Sequence, residues 1–289
     1  MQLVTFDAGG GAQAGVLLGD EIVPVAALGA PATSVRGLLE ALDGEGLAAL
    51  AARAAQAAAD VRVSRGAVRL LAPVPDPEKI VCLGLNFRDH AEEAHQDIPE
   101  HPRWFAKFAN SLVGDGADVV IPAAHPDYVD YEAELAVVIG RTAHLVPEDE
   151  ALAHVAGVMP LNDVTARDLQ LQNPMWTSGK AIDTFAPCGP ALVTLDEVGD
   201  LQDLTLRTRI NGEVVQEGTT AQMIFTVAQT VAWLSRTMTL VPGDIVATGT
   251  PAGVGGFKGL FLRDGDVVEV EVEGVGAVSN PIRSASAIV

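Results

Sequence analysis

A chain of 289 residues, 48% hydrophobic and 19% charged, has room for one large domain, a small appendage and a substantial core. Its formal net charge of −20, from 38 acidic against 18 basic residues, excludes nucleic acid and anionic membrane surfaces as partners, because both demand basic patches. A small anionic substrate stays open, since a bound divalent cation and a few local Lys or Arg side chains reverse the field inside a cleft.

The opening MQLVTFDAGGG has neither the basic region nor the apolar stretch of a signal peptide, and no run of eighteen apolar residues calls for a spanning helix. Cys82 and Cys188 lie far apart without metal-type spacing, so buried free thiols in a reducing cytoplasm are expected.

Residues 1–72 read as a separate small unit. Strand-like pieces Gln2–Phe6 and Gly15–Val25 flank a glycine turn, and an Ala-rich helical stretch follows from Ser34 to Asp60, broken near Asp43-Gly44. Leu47, Leu50, Ala51 and Ala54 give that stretch an apolar face. The segment Ala72–Lys79 holds three prolines in eight residues and reads as a linker into a main domain over residues 73–289.

In that domain Ile80–Leu83 reads as a buried strand, and Glu134–Ile139 as a strand buried on both faces. A helix is expected from Pro147, with Glu148, Asp149 and Glu150 in its first turn. Val155–Val164 reads as a strand with a polar end. Leu204–Ile210 and Glu213–Gln216, joined by Asn211-Gly212, form a hairpin. A helix over about Ala221–Met238 carries Met223, Val227, Val231 and Leu234 on one stripe, and Val267–Val272 alternates so that one face is wet. Gly249–Gly256 (GTPAGVGG) lacks the Lys-Ser/Thr ending of a phosphate-binding loop.

Three constellations carry candidate chemistry. In Asp130-Tyr131-Glu132-Ala133-Glu134, strand geometry places Glu132 and Glu134 on one face at the mouth of a buried strand. Such a pair repels unless a cation or proton intervenes; the alternative is an exposed strand end. Asp163, at the end of the Val155–Val164 strand, is either a turn residue before a capping box at Thr165–Asp168 or a third oxygen ligand. Three carboxylates without His or Cys select a hard cation, Mg²⁺ or Mn²⁺. In Asn86–Glu93, His90 and Glu93 share a helical face, an arrangement that suits a general base but is also common on solvated helices. Lys180, in Trp176–Lys180, lies in an apolar, Gly/Pro-punctuated loop and is either a site cation or a surface lysine. The remaining five histidines, His125 among them, show no interpretable pairing.

Taken together, Lys79–His90 (KIVCLGLNFRDH), Asp130–Gly140 (DYEAELAVVIG), Asn162–Gln170 (NDVTARDLQ), Trp176–Pro190 (WTSGKAIDTFAPCGP), Ile210–Gly218 (INGEVVQEG) and Gly243–Gly255 (GDIVATGTPAGVG) resemble the fumarylacetoacetate hydrolase superfamily, in particular its bacterial acylpyruvase-like and sugar-acid hydrolase-like branch, over roughly residues 79–283. The resemblance implies a sheet-rich α+β fold, a mixed β-sandwich roll with a small N-terminal α/β domain. It implies one Mg²⁺ or Mn²⁺ on Glu132, Glu134 and Asp163, a catalytic dyad of His90 and Glu93, and an active-site Lys180. Arg167, Gln170 and Thr250 fall in substrate-facing motifs, the segment from about Phe87 to Arg103 becomes a lid, and a homodimer is expected. Pro174-Met175-Trp176 and Ala181-Ile182 depart from the usual pattern and touch the pocket wall. The activity first expected is hydrolysis of a C–C bond in an acylpyruvate or related diketo acid, releasing pyruvate or another 2-oxo acid. The alternative is an isomerase or decarboxylase of an unsaturated 2-oxo diacid or oxaloacetate on the same metal site. A metal-binding structural module without activity is the non-enzymatic reading.

Overall fold

The computed structural model describes residues 1–125 and 127–285. The chain opens with strands β1 (Gln2–Asp7), β2 (Ala12–Leu18) and β3 (Glu21–Pro24). The stretch expected as one strand from Gly15 to Val25 is thus a hairpin, because Gly19 takes the left-handed backbone that its turn needs (φ 61°). Helices α1 (Val35–Ala41) and α2 (Gly44–Ala55) follow, each started by a side-chain cap, Ser34 accepting from the Gly37 amide and Asp43 from the Gly46 amide. Leu50 and Ala54 are the buried residues of the α2 stripe.

Beyond the proline-rich connection come β4 (Ile80–Gly84), α3 (Arg88–Glu93) and β5 (Arg103–Lys107). Next are β6 (Ala133–Ile139), buried along its whole length, and β7 (Val155–Asn162). Short helices α4 (Arg167–Leu171) and α5 (Thr177–Lys180) lead to β8 (Leu192–Thr194), the hairpin β9 (Thr205–Ile210) and β10 (Glu213–Thr219), and α6 (Val227–Ser235). Strands β11 (Ile245–Ala247), β12 (Val267–Val272) and β13 (Gly276–Ser284) complete the order.

Two sheets dominate. An eleven-stranded mixed sheet runs from Val63–Ser64 through β3, β2, β1, β8, β7, β6, β11 and β4 to β5, with Arg69–Leu71 pairing β1 off this path. A five-stranded sheet, β10-β9-β12-β13 and Val119–Ile121, packs beside it. Val81, Leu135 and Val137 of the large sheet share one core with Leu206, Val270 and Val272 of the smaller sheet. The segment boundary near residue 72 does not interrupt the large sheet, since Gln2 and Leu3 pair with Val193 and Leu192. The core continues likewise, and Leu3, Leu38 and Leu50 pack in one cluster with Ala136, Met159 and Ile245.

The hairpin at Asn211-Gly212 forms as expected, with both residues at positive φ (53° and 88°). The wet face of β12 is also real: Glu269 and Glu271 hold Arg209 at 2.9 and 2.7 Å. Both cysteines are free and buried. Two expected helices take a different form. The helix from Pro147 is a 3-10 segment, Glu148–His154. The helix expected over 221–238 is only α6, started by a full capping box at Thr226 and Gln229. Upstream, Asn86 draws the backbone away, accepting from the Ile224 amide at 2.7 Å and the Phe225 amide at 2.9 Å. Met223, Val227, Val231 and Leu234 are nevertheless all buried, so the stripe is apolar core although the helix is not continuous through it. Among the described residues no helix is long and apolar enough to cross a membrane.

The seam between β7 and β8 depends on Gly157, where an added Cβ would lie 2.1 Å from the Val193 carbonyl oxygen. Gly157→Ala must part the two strands. A loss of about 1–3 kcal/mol, the usual cost of overpacking, is expected in urea unfolding. An unchanged midpoint would show that the seam relaxes freely.

Candidate active site

The register of β6 on β7 builds the site. Ala133 faces Asn162, which brings Asp163, just past the end of β7, beside Glu132. The Asp163 amide donates to the Glu132 carbonyl at 2.9 Å, and the Glu132 amide donates to the Asn162 side chain at 3.0 Å. Alternation along the strand then adds Glu134 on the same face. All three carboxylates are buried, and ligand atoms from Glu132, Glu134 and Asp163 lie within 4.8 Å of one another.

Their charge is partly matched by cations. Lys180, at the end of α5, donates to Asp163 Oδ2 at 2.7 Å and lies 2.9 Å from Glu132 Oε2. Arg167 reaches Glu132 Oε1 at 2.8 Å. Lys107, fully buried at the end of β5, donates to Asp163 Oδ1 and, at 3.1 Å, to the Val164 carbonyl. Burial alone pushes the Glu132 carboxyl up, but the Lys180 and Arg167 charges outweigh it and hold the group at about 2. Burial pushes Lys180 down, and the Asp163 and Glu132 charges more than restore it, so it stays cationic. Glu134 has no such neighbour in direct contact. Burial, then the Asp163 and Glu132 charges, push it well above the usual carboxylate range. Its Oε2 accepts from the Gly249 amide at 2.9 Å, while Oε1 finds no hydrogen-bond partner among the described residues.

That orphaned oxygen tests the fit to a metal. A buried carboxylate oxygen without a donor is rare unless something else satisfies it. Here it sits among all-oxygen donors of two neighbouring carboxylates, a set that suits a hard divalent cation such as Mg²⁺ or Mn²⁺.

On α3, His90 Nδ1 is 3.1 Å from Glu93 Oε2. The Gly253 amide donates to both Glu93 oxygens, at 3.0 and 3.1 Å, so the carboxylate that orients the imidazole is itself pinned. His90, Glu132, Arg167, Gln170, Lys180 and Thr250 line one cavity of about 210 Å³, closed on another side by Trp176. Glu134 and Asp163 are not part of its wall, in keeping with their complete burial. Trp176 fits because position 84 is glycine: a Cβ there would lie 2.0 Å from the indole. The segment expected as a lid is rooted in the core at Phe87 and Ala91, and its continuous exposed stretch is residues 95–98.

Several placements differ from expectation. No capping box forms at Thr165–Asp168. The Thr165 hydroxyl donates to the Asp163 carbonyl at 2.9 Å, and α4 starts at Arg167 without a side-chain cap. Asp168 instead pairs with His125, a partnership that their distance in sequence hides. Arg167 lines the cavity, but its Nε and NH2 both lie 2.7 Å from Asp130 Oδ2, and NH1 donates to Gln170 Oε1 at 2.9 Å. Lys107 is a site residue that sequence reasoning misses; its only signal is a basic residue closing a strand in which three of the other four residues are apolar.

A family profile described as fumarylacetoacetate (FAA) hydrolase C-terminal matches residues 79–283. The chain belongs to the fumarylacetoacetate hydrolase family. It is an enzyme of that superfamily, with the superfamily's sheet-rich fold. The mitochondrial oxaloacetate tautomerase fahd2 of Xenopus laevis is 46% identical over 224 residues, covering 76% of this chain and 70% of that protein. Its human counterpart FAHD2A is 45% identical over 243 residues, covering 83% and 77%. Among solved structures, maleylpyruvate hydrolase of Sphingobium sp. SYK-6, in complex with manganese(II) and pyruvate, superposes with a TM-score of 0.81 at 32% identity, covering 98% of this chain and 99% of the other. The fumarylacetoacetate hydrolase of Exiguobacterium antarcticum gives 0.84 at 35% identity, with 98% and 99% covered. The cytoplasmic location expected from the cysteines is overturned by these relatives, because the vertebrate tautomerases are named as mitochondrial proteins.

The cluster sets a direct test. In a Mn²⁺ titration followed by electron paramagnetic resonance, one ion per chain is expected. Glu134→Ala and Asp163→Ala should each weaken it by more than the roughly 10–100-fold that loss of an outer-sphere partner costs. Wild-type affinity in both variants would remove these carboxylates from the metal site.

Proposed function

We propose that this protein is a divalent-metal-dependent tautomerase that interconverts the keto and enol forms of a small 2-oxo diacid of the oxaloacetate type. The observation that carries this reading is the meeting, in one cavity of about 210 Å³, of a His–Glu pair with cationic Lys180 and the edge of a buried three-carboxylate cluster. Relatives at 43–46% identity that are named oxaloacetate tautomerases support it over C–C bond hydrolysis. Hydrolysis, placed first on sequence grounds, now has its support in structures at 32–35% identity. The order of the two readings is therefore reversed.

The chemistry requires a proton to leave C3 of the diacid and one to reach the 2-oxo oxygen; a C–H bond breaks, a C=C bond forms, and nothing is added or lost. A metal held by Glu132, Glu134 and Asp163 would supply Lewis-acid polarisation of the 2-oxo group. His90 faces Glu93 through Nδ1, so that nitrogen carries the proton and Nε2 keeps the lone pair that can take the C3 proton. Glu93 stabilises the imidazolium that results, and the Gly253 amide keeps Glu93 from turning away. Lys180, cationic and buried, stabilises negative charge developing on the oxygen. Lys180 and Arg167 at the cavity wall, with a divalent cation on the carboxylates, would draw a dianion to an otherwise acidic protein.

The test follows the decay of enol-oxaloacetate absorbance with Mg²⁺ or Mn²⁺, beside acid release from a panel of acylpyruvates. Accelerated ketonisation is expected, with His90→Ala lowering kcat by about 10²–10⁴ and Glu93→Gln by less. Acid release from an acylpyruvate without any effect on the enol would sink the tautomerase reading in favour of hydrolysis.

A further inference from the structure

Strand β10 is an edge strand, and of its seven residues only Gln216 is buried. A β-bulge explains its direction. Thr208 pairs with Gln216 while Arg209 pairs with Val214, so Val215 is the extra residue and Gln216 is turned inward.

The buried carboxamide makes four hydrogen bonds. Its Oε1 accepts from the Ala133 amide at 3.0 Å and the Thr208 hydroxyl at 2.8 Å. Its Nε2 donates to Thr250 Oγ1 at 2.8 Å and the Pro251 carbonyl at 2.9 Å. That exhausts the capacity of an amide. The orientation is forced, because the Ala133 amide can only donate and the Pro251 carbonyl can only accept. Ala133 lies between Glu132 and Glu134. Thr250 lines the cavity, and its oxygen makes no other side-chain hydrogen bond among the described residues.

We propose that Gln216 is a positioning residue of the active site. It locks the backbone between Glu132 and Glu134 to the Thr250–Pro251 turn, and by donating to Thr250 it leaves that hydroxyl's proton to point at a carboxylate or oxo group in the cavity. A side chain on a sheet outside the carboxylate cluster thereby sets both the spacing of two acidic groups and the polarity of one cavity donor. The segment Ile210–Gly218 gains a role beyond its hairpin.

The first arm measures Mn²⁺ affinity by electron paramagnetic resonance, and depends only on the carboxylate cluster. Gln216→Met keeps the volume and removes all four bonds. The expected result is an affinity about 10-fold or more below wild type, the scale of an outer-sphere loss, in protein whose circular dichroism is unchanged. Should that variant fail to fold, Gln216→Asn, which keeps the amide but cannot span both partners, carries the same test. Wild-type Mn²⁺ affinity with only a lowered melting temperature overturns the proposal, since a merely structural bond would not move binding in a folded protein.

The second arm rests on the tautomerase reading. Gln216→Met, Thr250→Val and the double variant form a cycle read in kcat/KM for enol-oxaloacetate. The double variant is expected to lose about as much as the worse single, because Thr250 is aimed through Gln216. Losses that multiply refute that link. If the wild type does not ketonise oxaloacetate at all, the functional reading falls and the Mn²⁺ arm alone judges Gln216.

Discussion

The constraint that governs this molecule is the burial of four carboxylates, Asp130, Glu132, Glu134 and Asp163, at the end of one strand pair. An ionised carboxylate cannot leave water without compensation, and removing one partner from a buried pair typically costs about 3–5 kcal/mol. Much of the surrounding structure serves this need. Lys107, Lys180 and Arg167 arrive from three different segments. Backbone amides supply the rest: Gly249 to Glu134, and Gly255 and Gly256 to Asp130, both at 2.8 Å. The glycine-rich run that lacks a phosphate-binding ending is therefore still an anion-binding loop, but its anions are the protein's own side chains. Glycine is required there: a Cβ at position 255 would lie 2.4 Å from Asp130 Oδ1 and 1.9 Å from the Leu260 carbonyl oxygen.

What could be read from the chain follows from how local each signal is. The pattern Asp130–Ile139 announced itself because acidic residues with period two run directly into an apolar strand, and in the structure ligand atoms of Glu132, Glu134 and Asp163 lie within 4.8 Å of one another. His90 and Glu93 are one helical turn apart, and Asn211-Gly212 makes its own hairpin. Signals that depend on distant partners were invisible. Lys107 matters only because β5 ends beside Asp163, 56 positions later. The break before α6 depends on Asn86, 139 positions away from Phe225. Gln216 sat in a strand whose alternation gave no sign of a bulge. Arg167 lines the cavity, and its further contact with Asp130, 37 positions earlier, could not be read from spacing alone.

The same distinction separates fold from reaction. The core and the carboxylate cluster are features that a shared architecture supplies, and such an architecture supports several chemistries on one scaffold. At the cavity wall Trp176 is packed where Gly84 leaves space and is set edge-on to Phe105 at 5.8 Å.

The pairing of β1 with β8 has a consequence for how the molecule comes into being. Gln2 finds Val193 only after most of the polypeptide between them exists. At Gln2 and Leu3, β1 has no partner on that flank until β8 is present. Closing so long a loop is entropically slow, whereas β1 with β2 and β6 with β7 close over far shorter ones. The hairpin of β1 and β2 can form alone, and Arg69–Leu71 covers Thr5–Asp7, but the edge at Gln2 and Leu3 stays open until β8 arrives. A chain whose β8 has not yet docked is thus most exposed to association with other chains at that edge, which a chaperone shielding the first hairpin would cover.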